Sequence, residues 1–179
     1  MNSKIKIAGH PVHAMLVGIP VTLYLVSLAC FAAHSFGASA LWFQIGVYAN
    51  IAGVIAALVA AVPGFIDWAY GIPLGTAAKS TGFVHMILNV GALVLFALNW
   101  LMQWPHRLDP FPATGLSIVL PLLGVLLTLA AGFRGWTLVQ THHVGVDLTP
   151  EQERFEPRAN PEIERRGPEP HAGHGQPSH

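Results

Sequence analysis

A chain of 179 residues that is 53% hydrophobic and only 10% charged, with a mean hydropathy of +0.51, lacks the composition of a water-soluble domain. Such domains carry about 25% charged residues, so this chain is assigned to a membrane class. The formal net charge of +0 and the lack of a Lys/Arg stripe exclude nucleic acid as an expected partner. Cys30 is the sole cysteine, which excludes an intrachain disulfide, a CxxC metal site and a Cys-ligated iron–sulfur cluster.

The N-terminal stretch MNSKIKIAGHPVH has the two lysines of a signal-peptide start, but Gly9, His10, Pro11 and His13 interrupt it before any apolar run begins. The first apolar segment is therefore read as a retained helix. A membrane-crossing helix needs about 20 mostly apolar residues, and residues 14–33, 41–66, 82–101 and 116–139 each meet that need. Short connections favour antiparallel neighbours. The expected fold is an all-α, polytopic membrane protein: an antiparallel bundle of four transmembrane helices over residues 1–147. Pro20, Pro63 and Pro121 fall inside helices and are expected to bend them. Residues 148–179 switch to Pro, Glu, Arg, Gly and His, a composition that predicts a disordered tail.

Lys4, Lys6, Lys79, Arg134 and the tail arginines fall on one side of this arrangement, and only Arg107 on the other. By the positive-inside rule both termini are cytoplasmic, in what reads as a bacterial inner-membrane protein. Trp42, Trp100 and Trp104 then lie near the outer interface, and Trp68 and Trp136 near the inner one.

Each segment carries a seam of small or polar residues at spacings of three and four, which share one helix face. The first seam runs from His13 through Pro20, Tyr24 and Ser27 to His34, and the second from Gly46 through Asn50, Gly53 and Gly64 to Asp67. The third takes Gly82, His85, Asn89, Phe96 and Asn99, and the fourth Ser117, Pro121, Gly124, Gly135 and His142. Most of these positions are expected to pack helices together, with Asn50, Asn89 and Asn99 as hydrogen-bonding glue. The ionisable ends differ. His13, Asp67, His85 and His142 are all expected at the cytoplasmic level, joined by His10, Lys79, Arg134 and His143. Ionisable groups gathered at one depth of a membrane protein point to a site.

The residues at these ends resemble a bacterial membrane family called domain of unknown function 2231. Its pattern of G-H-P-x-H, P-G-x-x-D-W, H-x-x-x-N and a closing L-V-Y-x-H-G-V-G-V is met by four stretches. These are Gly9-His10-Pro11-Val12-His13, Pro63-Gly64-Phe65-Ile66-Asp67-Trp68, His85 with Asn89, and Leu138 to Val146. The resemblance covers residues 9–147. Gln140 departs from an aromatic position of the pattern, and His143 from a glycine. Family members fused to a Rieske-type domain imply a link to electron transfer, but no activity comes with the resemblance.

Three functions fit these residues. In the first, the chain is an electron-transfer subunit, not an enzyme on its own, that binds one b-type haem. Its axial ligands would be His85 with His13 or His142, Asp67 would hold a ring nitrogen, Gly82 and Gly135 would admit the macrocycle, and Arg134 and Lys79 would meet propionates. In the second, His10, His13, Asp67, His85 and His142 supply a site for Zn²⁺ or another divalent ion, or a proton relay. In the third, the chain is an accessory subunit with no cofactor. The lipid bilayer is the expected partner in all three, with a redox protein or a second copy of the chain as further candidates. The His-rich end, from His171 to His179, is a weaker metal candidate.

Overall fold

The N-terminal segment that carries Lys4 and Lys6 folds back rather than trailing away. In the computed structural model, which describes residues 3–109, 112, 115–146, 149 and 151, a two-residue turn joins β1 (Lys6–Ile7) to β2 (His10–Pro11). The turn requires positive φ at both central residues, and Ala8 (50°) and Gly9 (83°) supply it. The tail expected over 148–179 lies almost wholly outside the described residues.

The hairpin leads into α1 (Val12–Leu16) and, after a break at Val17, α2 (Gly18–Ser35). Pro20 explains the break. It has no N–H to give the Leu16 carbonyl, and its ring crowds that same carbonyl from four residues on. The chain then forms α3 (Ala40–Ile66), which runs on as a π-helical turn over Asp67–Gly71. Next come α4 (Ala77–Gln103), closed by a short 3₁₀ turn at Trp104–His106, and α5 (Gly115–Gln140). Helix α4 begins at Ala77, before the apolar run, because the Thr76 side chain caps it by accepting from the Lys79 N–H at 3.2 Å.

Four stretches are long and apolar enough to cross a membrane: Val12–Ser35, Ala40–Gly71, Ala77–His106 and Gly115–Gln140. Their outward faces carry exposed Leu25, Ile55, Val62, Val94, Leu126 and Leu129. In lipid such faces are solvated, whereas in water they would be a liability.

Helix α2 packs most closely on α3, and α4 on α5, while α2 against α5 and α3 against α4 close the ring. At the centre the Tyr24 and Phe96 rings stack with centroids 3.6 Å apart and planes 1° from parallel. Two glycines make that room. A Cβ on Gly53 would come within 2.8 Å of the Tyr24 ring, and one on Gly124 within 2.5 Å of the Phe96 ring. Toward the far end Phe31, Phe43 and Val47 form a second buried cluster.

The polar seam residues are the expected glue. Ser27 Oγ donates to the Gly46 carbonyl at 3.0 Å. Asn50 Nδ2 donates to the Phe96 carbonyl at 2.9 Å, and Asn99 Nδ2 donates to Asn50 Oδ1 at 3.1 Å, which ties α3 to α4. Two buried atoms lack a partner among the described residues, the Tyr24 hydroxyl and Asn99 Oδ1.

Candidate functional site

Among the described residues at the end of the bundle that holds the N-terminus, His13 and His85 meet ring to ring. Their ring centroids are 6.3 Å apart and their planes are at 90°. His13 is the second residue of α1, and its Nδ1 lies 2.8 Å from the carbonyl of Ala60 in α3. His85, in α4, has Nδ1 2.8 Å from the carbonyl of Ala131 in α5. A carbonyl oxygen only accepts, so each Nδ1 carries a proton, and in the neutral ring Nε2 is the nitrogen that holds the lone pair.

Both imidazoles lie in notches cut by glycine. A Cβ at Gly64 would sit 2.6 Å from His13 Nδ1, and one at Gly135 would sit 3.2 Å from His85 Cε1. In each case the notch is one turn after the carbonyl that accepts the ring N–H. Each histidine is thus fixed by its neighbouring helix in tautomer and in position. Asn89, one turn further along α4, places Nδ2 2.8 Å from the His85 carbonyl and 3.2 Å from His85 Nε2.

The remaining candidates are elsewhere. Asp67 does not hold a ring nitrogen. Its carboxylate accepts from Ser3 Oγ at 2.8 Å and from the backbone N–H groups of Lys4 and Ile5 at 2.6 and 3.3 Å, and so clamps the N-terminal strap. His10 is exposed on β2. His142 lies just past α5, where its own N–H bonds the Thr137 carbonyl, and among the described residues no ring contact joins it to the pair. At the next residue the backbone turns: His143 has φ of 49° and the Val144 N–H reaches back to the Leu138 carbonyl at 2.9 Å. This is a left-handed helix cap, where glycine is the unstrained residue. The glycine in the family pattern thus has a local reason, and His143 meets the same turn with a side chain. Among the described residues no three of His, Cys, Asp or Glu converge on a metal-sized space, so the four- or five-ligand set of His10, His13, Asp67, His85 and His142 is not assembled.

Two expected roles at the edge of the site also change. Gly82 does not face a histidine: a Cβ there would meet the Trp68 indole at 2.7 Å. The Lys79 ammonium is spent on the carbonyls of Trp68, Ala69 and Ile72, which the π-turn leaves without helical donors, and it lies 4.2 Å from the Trp68 ring. Arg134 is exposed on α5, beside the Gly135 notch. The open groove at this end is lined by Trp68, Leu74, Thr76, Lys79 and Phe83 and includes neither imidazole.

The sequence signals for His13 and His85 were sufficient to find them. Those for their fixing partners were not, because the backbone carbonyls of Ala60 and Ala131 leave no mark in a sequence. No curated protein and no solved structure matches the chain. A family model described as "Predicted membrane protein (DUF2231)" matches residues 9–148, which include both histidines, both notch glycines and the cap at His143. The chain is a member of that family.

Proposed function

We propose that this protein is a membrane electron carrier in which His13 and His85 would hold one b-type haem. The observation that carries the reading is the pair itself, two perpendicular imidazoles with centroids 6.3 Å apart and both Nδ1–H groups already bonded to carbonyls. Ligating histidines characteristically donate their other ring nitrogen in this way. A metal bonded to both Nε2 atoms at about 2 Å would hold the centroids roughly 6 Å apart. Two nitrogens are too few for a tetrahedral zinc site, but they match a group that brings four equatorial donors of its own. The residues present therefore fit haem better than a bare divalent ion.

When bound, haem supplies a one-electron couple. The chain's own residues do the rest. Ala60 and Ala131 hold each Nδ1 proton, and the Gly64 and Gly135 notches set each ring against its helix. Arg134, exposed at this depth, is the cation positioned to meet a propionate. The same reading places the site at the cytoplasmic face of a bacterial inner membrane, where a redox protein or a second copy of the chain would dock.

Purified from a haem-replete host, the protein is expected to be red, with a Soret band lost in His13→Ala and in the His13→Ala/His85→Ala double variant, altered in His85→Ala, and unchanged in Asp67→Asn and His142→Ala. A colourless protein in which both histidine variants lose only thermal stability would make the pair a packing device in an accessory subunit. Stoichiometric zinc in a colourless protein would instead favour the divalent-ion reading.

A further inference from the structure

The two histidines are the same residue of two copies of one hairpin. Seventy-two residues separate His13 from His85, Tyr24 from Phe96 and His34 from His106. Seventy-one separate Gly53 from Gly124, Ala60 from Ala131 and Gly64 from Gly135. The contacts repeat with the residues. His13 bonds Ala60 across 47 positions and His85 bonds Ala131 across 46. Gly53 makes room for Tyr24 as Gly124 does for Phe96. The closest helix pairs, α2 with α3 and α4 with α5, are the two copies, and their two mutual contacts, α2 with α5 and α3 with α4, are also equivalent. Two like-oriented hairpins arranged this way share a pseudo-twofold axis along the bundle. The imidazole pair and the stacked rings both straddle that axis.

The copies differ beside the histidines. The second has Asn89, whose amide points at His85 Nε2 from 3.2 Å. The first has Val17 at the corresponding place, which offers no donor, and no bond to His13 Nε2 is made among the described residues. We infer that Asn89 masks one of two otherwise equivalent half-sites, so that His13 is the leading ligand of the bound group and His85 the exchangeable one. The inference rests on the haem reading for the group that is bound, but the mask itself is a property of the apoprotein.

The apoprotein therefore gives the first test. Diethylpyrocarbonate attacks an unprotonated ring nitrogen, and peptide mass spectrometry of the intact protein in detergent reports each histidine separately. His13 is expected to label faster than His85. Asn89→Val should raise His85 labelling about fivefold, the scale of one neutral hydrogen bond, and Val17→Asn should slow His13. The second test titrates haem into the same proteins. Wild type should show a fraction of five-coordinate spectrum that Asn89→Val converts to six-coordinate, with a matching fall in carbon monoxide affinity. His85→Ala should keep haem in five-coordinate form, while His13→Ala should lose it. Thermal melting shows that each variant is folded, and Asn89→Ala repeats the test with a smaller side chain. Labelling that Asn89→Val and Asn89→Ala leave unchanged, or equal haem loss in the two histidine variants, overturns the mask and spares the haem reading. No haem uptake by any form overturns the haem reading and the ligand order with it.

Discussion

A histidine ring pressed against a helix backbone tolerates no methyl group between them. Gly64→Ala would drive its Cβ to 2.6 Å from His13 Nδ1, where the ring cannot retreat without breaking its bond to Ala60. The expected cost is about 1–3 kcal/mol in thermal unfolding, with His13 displaced. Gly135→Ala meets His85 at 3.2 Å and should cost less, so the order of the two is itself a check. Tyr24→Phe has the opposite sign. The hydroxyl is buried without a partner among the described residues, and Phe96 already fills the equivalent place in the second hairpin, so removal should raise stability by about 1 kcal/mol. Side-chain chemistry made His13 and His85 legible in the sequence. Asp67 is less legible because, beside the Ser3 hydroxyl, its partners are main-chain N–H groups of residues 4 and 5, which no residue code announces. Asp67→Asn should free the strap, seen as faster amide exchange at Lys4 and Ile5 with the bundle's melting unchanged.

Helix positions were the most legible level, because about 20 apolar residues in a row leave few alternatives. Their ends were less so. Thr76 starts α4 five residues before the first expected position, and the π-turn prolongs α3 past Asp67. At the other end of α5, His143 holds a left-handed cap with φ of 49°. His143→Gly should stabilise that end by up to about 1 kcal/mol, measurable by thermal unfolding. Between helices, the Asn50–Asn99 bond should show a coupling of about 0.6 kcal/mol in a double-alanine cycle, the modest value usual for buried hydrogen bonds in membranes.

For the whole molecule, the repeat is present in the numbering, but each seam taken alone looks like ordinary packing. Only the recurrence of the contacts, ring to carbonyl and ring to glycine, gives the offset meaning. The orientation inferred from Lys4, Lys6, Lys79 and Arg134 has a direct check. An alkaline phosphatase joined to the C-terminus should be inactive, and a fluorescent protein at the same place should glow.

The stacked Tyr24 and Phe96 rings have one more consequence. They close the bundle's axis at its waist, with Phe31 and Phe43 beyond them. A lumen plugged by flat aromatic rings offers no file of water, so vesicles containing the protein should hold a proton gradient as tightly as empty ones. The histidine pair is then served from its own end only, and the membrane's insulation is complete a few turns above it.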